Sequence, residues 1–184
     1  AVHCPMIQTI PKDFGAQRTL SAIDDLSLYT HLVFSSKVGV RMFFDSLKYH
    51  RVPKKVLENK KVIAVGLATA NELKKRGLKR VEVPKEATQE GIVHMLSLED
   101  INKGYFLLLQ SFQARQVLTQ FFIRKKIRHQ VIFLYETRPK VPEPIPNLKE
   151  MGEIIFTSPS TVKSFFDFFK RVPNNTTLTA IGPV

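Results

Sequence analysis

The 184-residue chain has one cysteine, Cys4, which rules out an intramolecular disulfide and fits a reducing compartment. Long apolar runs are missing too. Residues 106–109 and 131–135 are of strand length, far short of the roughly 20 residues a bilayer span requires. The N-terminus has none of the basic segment, apolar stretch and cleavage site of a secretory signal. A cytoplasmic protein without membrane contact is expected. The five histidines, His3, His31, His50, His94 and His129, lack metal-ligand spacing, and a lone cysteine builds no zinc finger or ribbon. Walker, GxGxxG and GxSxG signatures are absent, so neither a nucleotide cradle nor a nucleophile elbow is expected. The chain reads as cofactor-free and metal-free.

Acidic residues are scarce. Against 28 Lys+Arg stand 16 Asp+Glu, a formal net charge of +12. Such a field attracts polyanions and speeds their arrival. Nucleic acid, an anionic membrane surface and a small polycarboxylate are the candidate partners. Much of the charge sits in short runs such as Lys74-Lys75-Arg76 and Arg124-Lys125-Lys126, each of which also fits a solvated helix end.

What is present is an alternation of short apolar strands with helical patterns, the mark of α/β architecture. Residues 31–35 (HLVFS) read as a buried strand, and residues 37–48 as a helix with Val40, Phe43, Phe44 and Leu47 on one face. Residues 62–65 form the next strand, and residues 69–76 a helix closed by Gly77. Helix, strand, helix and strand follow at 90–97, 105–109, 113–124 and 131–135. Residues 138–146 carry Pro139, Pro142, Pro144 and Pro146 and read as an extended connector. A strand at 153–157 and a helix at 160–170 come after it.

The most informative feature is internal. THLVFSSKVGVRMFFD from Thr30 and GEIIFTSPSTVKSFFD from Gly152 superpose at an offset of 122 residues, matching Phe34 to Phe156 and Ser36 to Ser158. Phe43-Phe44-Asp45 fall on Phe165-Phe166-Asp167. A second echo pairs Ala64-Val65-Gly66 with Ala180-Ile181-Gly182. Both matches in one order indicate a duplicated strand–turn–helix–strand unit. The second copy stops soon after its second strand, too early to cover both faces of a parallel sheet. Residues 1–184 alone are therefore expected to aggregate, or to melt below a longer parent protein.

Several strand ends deliver hydroxyls and main-chain amides to turns: Ser35-Ser36, residues 66–69, residues 157–160 and residues 179–182. Ligands gather at the carboxyl ends of parallel strands, and helix N-termini bind anions. Each such Ser or Thr also serves as an ordinary N-cap. Four turns in two related units favour a shared carboxylate-binding cleft.

At these residues the chain resembles the uroporphyrinogen-III synthases. FSSKVGV, AVGLATANELKKRGL, ATQEGIV, FLYET, FTSPSTV and TAIGPV occur in that family's order and spacing, from about Pro5 to Val184. The resemblance implies two flavodoxin-like parallel-sheet domains joined by a two-stranded linker. Carried over, residues 1–9 are a linker strand and remnant of a discontinuous domain. Residues 10–133 are a complete middle domain, 134–140 the return linker strand, and 141–184 the incomplete remainder of the discontinuous domain. The family's first strand and helix would precede Ala1, and its last helices would follow Val184. The implied substrate is hydroxymethylbilane, a linear tetrapyrrole rich in carboxylates. It is closed with inversion of its last pyrrole ring, without cofactor, by a monomeric lyase of haem biosynthesis.

Within that resemblance Tyr135 matches the tyrosine assigned to assist departure of the terminal hydroxyl. A phenol with an ordinary pKa of about 10 can donate a proton at neutral pH. Ser36, Thr69, Ser158, Ser160 and Thr179 match positions lining the cleft, and Arg115 matches a basic residue at the head of a helix. Ser111-Phe112 depart from the arginine–glycine pair common there, which puts any carboxylate contact at that turn in doubt. Two competing readings are a basic nucleic-acid-binding α/β module and a non-catalytic member of the same fold. The first would show steeply salt-dependent binding to nucleic acid.

Overall fold

The computed structural model describes residues 1–181; Gly182, and with it the end of the second echo, lies outside the described residues. Seven strands and six α-helices follow one another along the described chain, alternating except where α3 precedes α4 and β5 precedes β6. Five strands form one sheet in the order β1-β5-β4-β2-β3 (β1 Ile7–Pro11, β2 His31–Phe34, β3 Lys61–Ala64, β4 Tyr105–Ser111, β5 Arg128–Pro139). The ladders β3/β2, β2/β4 and β4/β5 are parallel. β1 runs antiparallel to β5, since Lys12 N–H donates to Leu134 O and Lys140 N–H to Met6 O. The remaining strands, β6 (Glu153–Phe156) and β7 (Thr177–Ala180), form a separate parallel pair. The chain divides into two compact units, Pro11–Glu136 and a second made of Ala1–Ile10 with Thr137–Val184.

In the larger unit each strand buries both faces, as a parallel sheet must. Leu32 and Phe34 of β2 and Leu107 and Leu109 of β4 face one core with α1 (Gln17–Asp24), α2 (Lys37–Tyr49) and α3 (Leu67–Lys75). The alternate residues Val33, Phe106 and Leu108 face a second core with α4 (Gln89–Ser97) and α5 (Val117–Arg124). The period of two along each strand thus sorts the chain into two hydrophobic layers.

The duplication is visible in the geometry of each unit taken alone. Ser36 caps α2 with φ −165° and ψ 157°, and Ser158 caps α6 (Pro159–Phe169) with φ −166° and ψ 156°. Phe34 and Phe43 meet edge-to-face at 5.4 Å and 72°, and Phe156 and Phe165 at 5.2 Å and 75°. The repeated strands lie in two different sheets.

Three elements differ from the sequence expectation. The helix expected from residue 69 starts at Leu67, because extended Gly66 (φ −171°) serves as its N-cap. The helix expected from residue 113 starts at Val117, because the chain after β4 first turns back, with Phe112 N–H donating to Tyr135 O and Ala114 N–H to Ser111 O. The stretches 131–135 and 134–140 are one twelve-residue strand, β5, lengthened by pairing with β1.

At the opposite end of the sheet from these turns, His31 stacks on Phe106 at 4.1 Å. Burial, and then the Lys61 charge, hold its imidazole below the ordinary histidine range. The folded protein therefore resists protonating His31 while the unfolded chain takes up a proton near pH 6.5. The stabilisation is complete above that value and is lost as pH falls toward the lower folded value. His31→Asn should shrink the drop in urea midpoint between pH 7.5 and pH 5.5; an unchanged drop assigns the acid sensitivity elsewhere.

Candidate functional site

Because β2, β3, β4 and β5 run in one direction, their carboxyl ends share one edge of the sheet. Ser35-Ser36, Gly66, Ser111-Phe112 and Tyr135 lie at that edge. Ser35 N–H and hydroxyl both reach Leu109 O, tying the β2 turn to β4, and Val65 N–H bonds Phe34 O. The N-termini of α2 and α3 open from this edge, carrying positive partial charge.

Tyr135 is the centre of the site. Strand alternation along β5 puts Ile132 in the α1–α3 core and Val131 in the α4–α5 core, with Phe133 packed against the latter. Simple continuation would send Tyr135 to the α4–α5 side. The β4/β5 register breaks instead: Gln110 pairs with Phe133 and Ser111 with Tyr135, leaving Leu134 as the extra residue of a bulge. A bulge re-aims the side chains that follow it. Tyr135 accordingly joins the α1–α3 core, 8 % exposed, with its Oη 2.8 Å from Ser36 Oγ. Ser36 Oγ also accepts the Gly39 N–H at 2.9 Å.

The other expected site residues take different positions. Thr69 is not a cap; it is the third residue of α3, buried, because Gly66 already occupies the cap position. Among the described residues no side chain caps α3. Arg115 precedes α5 and makes a two-pronged contact with Glu90 of α4, at 2.6 and 2.8 Å. Each group reinforces the other's charge: hydrogen bonds from Arg115 hold the Glu90 carboxyl below its ordinary range, and Glu90 raises the guanidinium. Both side chains are largely exposed, so water screens the pair.

In the smaller unit Ser158 forms a capping box with Thr161, and Ser160 is the exposed second residue of α6. Thr179 lies inside β7 rather than in the turn beyond it, and its hydroxyl donates to Glu153 Oε1 at 2.6 Å. The structure thus brings Ser36 and Tyr135 into contact, keeps Thr69 at the neighbouring helix start, and engages Arg115 with a carboxylate of the protein.

Residues that sequence reasoning passed over also stand at this edge. Lys12 pairs with the buried carboxylate of Glu136, next to Tyr135, and its ammonium lies 4.9 Å from the Phe112 ring centre. FLYET contained the Glu136 signal, but nothing local linked it to Lys12, 124 residues away. Gly39 is the other omission. A Cβ built there would come within 3.2 Å of Ser36 Oγ and 3.9 Å of Tyr135 Cε1. Among the described residues, no group of three or more His, Cys, Asp or Glu is placed to hold a metal. None of their helices is long and apolar enough to cross a membrane.

The sheet, four parallel strands with β1 antiparallel at its edge, and the turns at its carboxyl edge define an α/β protein whose Tyr135 hydroxyl meets a helix N-cap. The family model of uroporphyrinogen-III synthase HemD matches residues 1–184. The chain belongs to the uroporphyrinogen-III synthase family. It is 26 % identical over 178 residues to the porphyrin biosynthesis protein HemD of Ruminiclostridium josui, covering 94 % of this chain and 35 % of that protein. It is 25 % identical over 169 residues to the uroporphyrinogen-III synthase of Chlorobaculum parvum, covering 87 % of this chain and 69 % of that one. The chain thus spans about a third of the first relative and somewhat over two thirds of the second. Its fold matches a mutant uroporphyrinogen III synthase of Thermus thermophilus with a TM-score of 0.70 at 15 % identity, over 97 % of this chain and 74 % of that one. The corresponding structure from Helicobacter pylori gives a TM-score of 0.63 at 20 % identity, over 96 % of this chain and 76 % of that one.

Proposed function

We propose that this chain carries the family's reaction: closure of hydroxymethylbilane to uroporphyrinogen III with loss of water, without metal or organic cofactor. The observation that supports it most is Tyr135, whose hydroxyl the β-bulge turns onto the N-cap of α2 at the carboxyl edge of a parallel sheet. In this reading Tyr135 gives its proton to the departing hydroxyl. The substrate is a small polyanion, and the formal +12 charge draws it in without invoking nucleic acid. A monomer suffices, since much of the catalysis lies in folding and positioning one substrate.

Carboxylates of the substrate are bound at the turns. The N-terminus of α3, beside Thr69, offers main-chain N–H groups without a side-chain cap. Ser158, Ser160 and Thr179 remain the proposed polar contacts of the second repeated unit, Ser36 lines the site beside Tyr135, and Arg115 is a proposed cation that exchanges Glu90 for substrate. Arg115→Ala should then raise KM with kcat and melting temperature little changed, because it removes uniform binding. An unaltered KM would leave Arg115 as a surface clip between α4 and α5.

The test of the function itself is direct. Hydroxymethylbilane is supplied to the protein, and the type I and type III products are separated. Type I forms spontaneously, so the reading requires type III well above the protein-free blank, and a product mixture identical to the blank overturns it.

A further inference from the structure

We propose that Ser36 is a positioning residue: it donates its hydrogen to the Tyr135 oxygen and so leaves the Tyr135 hydrogen pointing to the substrate. The inference rests on the reading of Tyr135 as the acid. Ser36 Oγ has two partners in the structure, the Gly39 N–H at 2.9 Å and Tyr135 Oη at 2.8 Å. The amide can only donate. A serine hydroxyl has one hydrogen, and the phenol oxygen is the acceptor left for it. Either oxygen has the geometry to donate: Tyr135 as donor would spend its hydrogen on the cap oxygen, and Ser36 as donor keeps it free. The Tyr135 hydrogen is thereby released for a third group.

The duplicated unit provides an internal comparison. Ser158 has the same backbone conformation as Ser36 and also caps a helix, but its oxygen meets Thr161 and no phenol. Thr161 occupies the place that Gly39 takes in the first copy, at the offset of 122 residues. Its side chain closes the capping box onto Ser158 N–H. Gly39 has no side chain, and a Cβ there would crowd Ser36 Oγ at 3.2 Å and touch the Tyr135 ring at 3.9 Å. The first copy has no capping box and has a tyrosine hydroxyl on its cap instead. A cap serine alone needs neither feature.

In the reaction, the proton passes from Tyr135 Oη to the terminal hydroxyl oxygen of hydroxymethylbilane. The C–O bond breaks, its electron pair leaves on oxygen as water, and the pyrrole nitrogen supplies electrons to the methylene carbon. Tyr135 becomes a phenolate. The Ser36 hydrogen bond and the positive end of the thirteen-residue helix α2 both favour that negative charge. The phenolate recovers a proton from the substrate when the ring has closed, so atoms and charge balance over the turnover.

The test is a double-mutant cycle on kcat for type III formation, using Ser36→Ala, Tyr135→Phe and the pair. Ser36→Ala should lower kcat roughly tenfold with KM nearly unchanged, and Ser36→Thr, which keeps cap and hydroxyl, should restore most of it. In the Tyr135→Phe background, Ser36→Ala should change kcat by less than about twofold. Glycine is nearly as good a cap as serine, so Ser36→Gly replaces Ser36→Ala if the alanine protein does not fold. Equal losses in the two backgrounds, or an effect confined to KM, overturn the inference while leaving Tyr135 as the acid. Undiminished kcat in Tyr135→Phe overturns the acid assignment and this inference with it.

Discussion

Tyr135→Phe is expected to lower kcat for type III formation at least about tenfold while the protein stays folded, as loss of acid assistance by one positioned group commonly costs more than that. The ring is 8 % exposed and packs in the α1–α3 core, so phenylalanine keeps its volume and contacts. One hydrogen bond, to Ser36 Oγ, disappears, worth about 1 kcal/mol net in stability. Spontaneous closure to type I should continue, so the type III to type I ratio falls with the rate. A variant with the parental melting temperature and the parental ratio would confine Tyr135 to packing.

The largest expected effect on stability comes from Phe43→Ala, at about 3–5 kcal/mol. Phe43 is fully buried and meets Phe34 and Phe44 edge-to-face at 5.4 and 5.8 Å. Truncation opens a cavity between α2 and the sheet, walled by β-strand main chain that cannot collapse into it. Urea unfolding followed by circular dichroism should show a lower midpoint with an unchanged slope. The counterpart in the second copy, Phe165, should cost less, because its ring neighbour Phe166, 5.3 Å away, is 37 % exposed and can shift. A loss under about 1 kcal/mol at Phe43 would contradict its place in the core.

Much of this architecture was legible in the chain. Residues 31–34, 61–64 and 105–111 are apolar and short, which fits strands buried on both faces. The α2 face of Val40, Phe43, Phe44 and Leu47 followed helical period and is buried as expected. The 122-residue repeat announced two similar caps, and Ser36 and Ser158 agree within one degree in φ and ψ. Local rules succeed there because a cap, a helix face and a strand are decided by residues a few positions apart.

The site was less legible, and the misplacements share a cause. Thr69 looked like a cap, but Gly66 accepts that role because an extended glycine can start the helix two residues sooner. Arg115 read as a basic residue at the head of a helix, and its partner Glu90 lies 25 residues away on α4, beyond local rules. By itself the sequence determined the α/β class, the duplicated unit, the two faces of the helices and the candidate hydroxyls, all consequences of short-range periodicity. Only the tertiary structure decided where the hydroxyls point. Strand alternation would have sent Tyr135 toward α4 and α5, and the β4/β5 register break, set by pairing between distant segments, turned it onto Ser36.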